Sequence, residues 1–82
     1  MKLENAIKKI EKMTGNRPVL IGHRYRVNIK RYEVSFMRNG SSEDVTNFYV
    51  KPIGANDDVT ADYHAGIFFP NLKQALDAAQ RW

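Results

Sequence analysis

Cysteine is absent from this 82-residue chain, which removes disulfide staples and thiolate metal clusters and is compatible with a reducing cytosol. Long apolar runs are missing too. The opening MKLENAIKKIEK breaks its apolar residues with charges every two or three positions, unlike a signal peptide or a membrane span, so a soluble, cytoplasmic protein is expected. Glycine is sparse and scattered at Gly15, Gly22, Gly40, Gly54 and Gly66, which leaves no glycine-rich phosphate loop. Ser35, Ser41 and Ser42 lie outside any Gly-x-Ser-x-Gly turn, and no thiol can serve as a nucleophile. Asp57, Asp58, Asp62 and His64 lack the glycine and terminal glutamate of a calcium loop and supply a single imidazole for zinc, so they read as an acidic loop. These gaps together point to a non-enzymatic protein with no metal site and no cofactor.

Acidic residues are scarce in one half. Residues 1 to 31 hold nine Lys or Arg against Glu4 and Glu11, a balance of +7; residues 32 to 82 hold four against seven acids, a balance of −3. Such a dipolar distribution steers polyanions or acidic protein surfaces and says little about fold. A chain this short has surface enough for one core, so residues 1–82 are read as a single domain.

The apolar residues Leu3, Ala6, Ile7, Ile10 and Met13 recur at helical spacing, which predicts an amphipathic helix over Lys2 to Met13 that stops at Gly15. TGNRPVLIG, residues 14 to 22, reads either as an edge strand or as a loop packed on the core. In the next stretch Tyr25, Val27 and Ile29 are odd-numbered, whereas Tyr32, Val34 and Phe36 are even. One strand cannot bury both sets, so a bulge or turn is required near Asn28 to Lys30. The first main strand is placed at Arg31 to Arg38. A polar connection from Asn39 leads to a second at Val45 to Ile53, which buries Phe48 and Val50 and exposes Asn47, Tyr49 and Lys51. After a loop from Gly54 to Asp62, a third strand runs from Tyr63 to Phe69. Asn71 then caps a second amphipathic helix with Leu72, Ala75, Leu76, Ala79 and Trp82 in phase. The expected fold is α+β, in the order α-β-β-β-α, with a three-stranded antiparallel sheet carrying both helices on one face and the other face open.

That order resembles double-stranded-RNA-binding domains, but the likeness is of topology alone. RNGSSEDV stands where such domains carry a Gly-Pro-x-His loop, and the last helix begins with Lys73 by itself instead of a lysine cluster. YEVSFMRNGSSEDVTNFYVKP followed by DYHAGIFFPNLKQAL resembles the large polyvalent protein associated domains, small α+β modules of phages and conjugative elements, over roughly Arg31 to Ala79. The resemblance implies a mobile-element protein acting beside element DNA and carries over no active-site residues.

Two surfaces are candidates for contact. Arg17, His23, Arg24, Tyr25, Arg26, Lys30 and Arg31 fall in a stretch without a single acid, the composition of a phosphate-binding strip with aromatics available for stacking. Arg31, Met37, Tyr49 and Lys51 would give the open sheet face an aromatic and cationic character. The function expected is therefore nucleic-acid binding, to DNA or RNA, by a phage or mobile-element protein. The alternative is an anti-defence inhibitor that docks on a host nucleic-acid-handling complex, anchored by Tyr25, Tyr49 and Met37. A homodimer through an exposed strand edge is compatible with either.

Overall fold

A computed structural model describes residues 1–54 and 66–82. The first helix, α1 (Leu3–Thr14), is followed by five strands, β1 (Val19–Ile21), β2 (Arg24–Ile29), β3 (Tyr32–Arg38), β4 (Val45–Pro52) and β5 (Ile67–Phe69), and by a second helix, α2 (Leu72–Arg81). All neighbouring strands are antiparallel, and the sheet order β1-β2-β3-β4-β5 is the order of the chain. The α+β class and the helix-flanked meander agree with the sequence reading, but the strand count does not, because five strands replace three.

The two extra strands come from residues 19–29. The parity conflict between Ile29 and Tyr32 is resolved by a two-residue reversal at Lys30 and Arg31, which pairs Ile29 with Tyr32, Val27 with Val34 and Tyr25 with Phe36. Both apolar sets thereby reach one face. Lys30 takes φ 55° to close the turn, a left-handed conformation that costs an L-residue roughly 1–2 kcal/mol. A second tight turn at Gly22 and His23 returns β1 alongside β2. The segment 19–29 thus lengthens the sheet at its edge and does not fold across a face.

Both helices cover the face bearing the β-strand apolar residues. Ala6 and Ile10 of α1, together with Leu72, Ala75, Leu76 and Ala79 of α2, meet Val27, Ile29, Val34, Phe36, Val45, Phe48 and Val50 in one cluster. Phe36 and Phe48 lie 6.0 Å apart at its centre. Each large apolar side chain buried here contributes on the order of 1.5–3 kcal/mol. Val45 and Phe48 can both point inward, despite unlike parity, because β4 bulges at Asn47. The register steps from Ser35 opposite Tyr49 to Met37 opposite Thr46, and Asn47 accommodates the extra residue at φ 56°.

The helix ends follow the expected chemistry. Gly15 closes α1 at φ 73° with its N–H donated to the Glu11 carbonyl, and the Asn71 side chain accepts from the Gln74 N–H at 2.9 Å. α1 begins without a side-chain cap. Its start is fixed by the chain itself, because the Leu3 N–H donates to the Glu43 carbonyl at 2.7 Å and the Met1 carbonyl accepts from Val45 at 2.9 Å. Trp82, expected as a core anchor, is half exposed and packs edge-on to Tyr32 at 5.3 Å and against Phe69 at 5.7 Å.

Candidate binding surfaces

The sheet face away from the helices departs most from the sequence reading. Tyr49 and Lys51 do point to that face, but they are only 2% and 5% exposed. The expectation of an open aromatic and cationic platform is therefore corrected. An antiparallel sheet can leave one face to water, whereas here the middle of that face, at Tyr49 and Lys51, is buried. The Tyr49 ring lies 4.6 Å from Phe68, and Gly66 approaches it so closely that any Cβ at that position would collide with the ring. Phe68 belongs to β5, directly opposite Tyr49.

Arg24 completes the packing around Tyr49. From β2 its Nε donates to Ser35 Oγ on β3 at 2.9 Å, its Nη2 donates to the carbonyl of Asn47 on β4, and its guanidinium carbon sits 5.9 Å from the centre of the Tyr49 ring. One side chain thus ties three strands together, using the carbonyl that the bulge turns outward. Beside it Arg26 Nη1 meets Glu33 Oε1 at 2.7 Å, and Lys51 Nζ lies 4.0 Å from the same carboxylate oxygen. Lys51 and Glu33 are direct cross-strand partners. Buried charges persist in proteins when they are paired, and none of Arg24, Arg26, Tyr49 and Lys51 is without a partner. These four act as structure on this face.

The remaining candidate residues are dispersed. Arg17 bridges to Glu11 at 3.1 Å beside the end of α1. Tyr25 faces the helices and stacks on Phe36 at 5.6 Å and 15°, so it is half-buried structure and not an open stacking surface. His23 is exposed in the turn between β1 and β2, and Lys30 and Arg31 are exposed in the turn between β2 and β3. Lys30 Nζ donates to the carbonyl of Gln80 at 2.8 Å. Met37 is half-buried, and its Sδ accepts from Asn47 Nδ2 at 3.2 Å. The residues of the acid-free stretch therefore reach different parts of the molecule and form no continuous phosphate-binding strip.

Of the two readings of residues 14 to 22, edge strand or loop packed on the core, the structure shows the edge strand, and its exposure was not anticipated. Val19, Leu20 and Ile21 are 58%, 54% and 57% exposed, on a strand at one end of the sheet. Three consecutive apolar residues bounded by Pro18 and Gly22 were the available signal. Among the described residues, no element pairs with the outer side of β1. A groove of about 380 Å³ lined by Arg17, Val19, Ile21, Arg26 and Glu33 runs along one side of it. A second groove, of about 350 Å³, opens beside Leu20 and is lined by His23, Tyr25, Met37 and Arg38.

Among the described residues no group of three His, Asp or Glu could hold a metal, and no helix is long and apolar enough to cross a membrane. The acidic stretch with Asp57, Asp58, Asp62 and His64, and the start of the expected third strand at Tyr63, lie outside the described residues. Comparison with family models, with curated proteins and with solved structures finds no match to this chain.

Proposed function

We propose that this chain is a non-enzymatic binding protein of the mobile-element type that docks on another protein through the outer edge of its sheet. The observation that carries this reading is the exposure of Val19, Leu20 and Ile21 together on an end strand. Natural proteins usually blunt or cover such an edge, since its unpaired N–H and C=O groups invite another strand. Three contiguous apolar side chains there are what an interface retains. Tyr25 and Met37, two of the anchors expected for an inhibitor, line a groove beside this edge.

Nucleic-acid binding is the second reading, and the +7 balance of residues 1 to 31 favours it. It loses its stacking platform with the burial of Tyr49, and what remains to it is salt-dependent contact through exposed cations such as Arg31. A pull-down from nuclease-treated host lysate separates the two. A protein retained after nuclease by the native chain, and lost from a Val19→Glu/Ile21→Glu variant, supports edge docking. Capture that disappears with nuclease, together with a steep fall in affinity for a mixed DNA and RNA pool as salt rises, would overturn it in favour of nucleic acid.

A further inference from the structure

We propose that Asn39 and Gly40 form a self-modifying site, in which Asn39 deamidates without an enzyme and its isoaspartyl product unlatches the first turn of α1. The step needs a main-chain nitrogen free to attack the side-chain amide that precedes it. Asn39 and Gly40 are exposed in the connection between β3 and β4. Among the described residues, neither the Asn39 side chain nor the Gly40 N–H has a hydrogen-bond partner. A Cβ placed on Gly40 would meet nothing within 4 Å, so the space around the attacking atom is open. Asn39 is also the one asparagine followed by glycine. Elsewhere Asn5 lies within α1 and Asn28 within β2, the Asn47 amide donates to Met37, and the Asn71 oxygen accepts from Gln74.

The chemistry consumes only water. Gly40 N bonds to Asn39 Cγ, the Cγ–Nδ2 bond breaks, and the Gly40 amide proton departs with that nitrogen as ammonia. Water then opens the resulting succinimide. Attack at Cγ yields aspartate and leaves the main chain as it was. Attack at the main-chain carbonyl yields isoaspartate, in which the chain runs through Cβ and Cγ and the former carbonyl becomes a free carboxylate.

The loop that would be altered holds the start of α1. Its base is the Asn39 N–H donating to the Asp44 carbonyl at 2.9 Å, and within it the Asn39 carbonyl accepts from the Ser42 N–H at 3.1 Å. Arg38 donates to the carbonyls of Ser41 and Ser42 at 3.3 and 3.1 Å. Folded in this way, the loop offers the Glu43 carbonyl to the Leu3 N–H and brings the Val45 N–H to the Met1 carbonyl. α1 has no side-chain cap, so this contact meets a need that a helix N-terminus always has. Isoaspartate adds an atom to the main chain between Arg38 and Gly40 and takes the acceptor of Ser42 out of it. The turn that positions Glu43 and Val45 is thereby lost, whereas ordinary aspartate changes the charge and keeps the chain length.

Aging the purified full-length chain in warm, mildly alkaline buffer tests this, with peptide mass mapping and hydrogen exchange read on the same samples. The expected result is a mass gain at Asn39, from replacement of NH by O, at a rate that rises with hydroxide because the attacking nitrogen must lose its proton. In the isoaspartyl fraction, which resists an Asp-specific protease at this position, exchange at Leu3 and Val45 should accelerate roughly tenfold or more, the scale of one lost hydrogen bond. Exchange at Phe36, fully buried in the core, should not change. Asn39→Gln should keep both its mass and its exchange over the same period. Asn39→Asp, which adds the charge without lengthening the chain, should exchange at the native rate. No conversion of Asn39 in the folded chain, over a period in which the urea-unfolded chain converts, would overturn the site. Isoaspartate with unchanged exchange at Leu3 and Val45, or with equal acceleration at Phe36, would overturn the latch. Equal acceleration in Asn39→Asp would overturn chain lengthening as its cause.

Discussion

The guanidinium carbon of Arg24 stands 5.9 Å from the centre of the Tyr49 ring, across the intervening strand β3. In the sequence the two residues look like members of one ligand surface, and in the fold they are bonded to each other's surroundings. Arg24→Ala removes that cation–π contact and the bonds to Ser35 and to the Asn47 carbonyl. Charge-assisted bonds and a partly desolvated cation–π contact together suggest a loss of roughly 1–2 kcal/mol. That corresponds to a fall of about 5–15 °C in the unfolding midpoint for a domain of this size. Arg31→Ala, at an exposed turn position, should leave the midpoint unchanged. A loss of ligand affinity in Arg24→Ala without a loss of stability would return that arginine to the binding surface.

Gly66 is the second place where the packing of Tyr49 can be read out. A Cβ there would overlap Tyr49 Cζ, Oη and Cε1, so Gly66→Ala must displace either the ring or the start of β5. Overpacking of this kind costs about 1–3 kcal/mol. The penalty should shrink when Tyr49 is first shortened to Leu, a coupling that a double-mutant cycle in urea measures directly. Additive effects would mean that the two residues do not press on each other.

Both helices, the odd-to-even switch before Tyr32 and the Asn71 cap were legible because each is a local rule. Periodicity, parity and capping need only neighbouring residues. β1 was ambiguous for a physical reason: a three-residue strand with every side chain exposed has no alternation to detect. The covered sheet face was illegible for another. Tyr49 and Lys51 have the period-2 placement of outward residues, and contacts remote in sequence, with Gly66 and Phe68 among them, lie against the ring. The same holds for Arg24, whose acceptor on Asn47 exists because β4 bulges there.

The bulge itself should discriminate sharply between residues. At φ 56° Asn47 sits where Asn and Gly are tolerated and a β-branched residue is strained. Asn47→Gly should keep stability within about 0.5–1 kcal/mol of the native chain. Asn47→Val should lose about 1–2 kcal/mol or more, and should weaken the alignment of its carbonyl with Arg24. Equilibrium unfolding of the two variants tests the pair. Equal stability would mean that β4 can run regularly past this point, which would send either Val45 or Phe48 out of the core.

Glu33 places one carboxylate between two cations, at 2.7 Å from Arg26 and 4.0 Å from Lys51, with Lys51 almost entirely buried. Removing one member of such a group costs more than the group itself contributes, because the charges left behind remain desolvated. Glu33→Gln should therefore destabilise by about 1–3 kcal/mol, less than a fully buried pair shows because Glu33 keeps 18% of its side-chain exposure. Lys51→Met, which replaces a buried cation by an apolar chain of similar length, should be close to neutral. If desolvated Lys51 is the source of the penalty, adding Lys51→Met to Glu33→Gln should restore part of the lost stability. Unfolding of the two single variants and the double variant in denaturant decides this. A double variant no more stable than Glu33→Gln alone would mean that the penalty does not come from Lys51 and would point to the Arg26 contact as its main source.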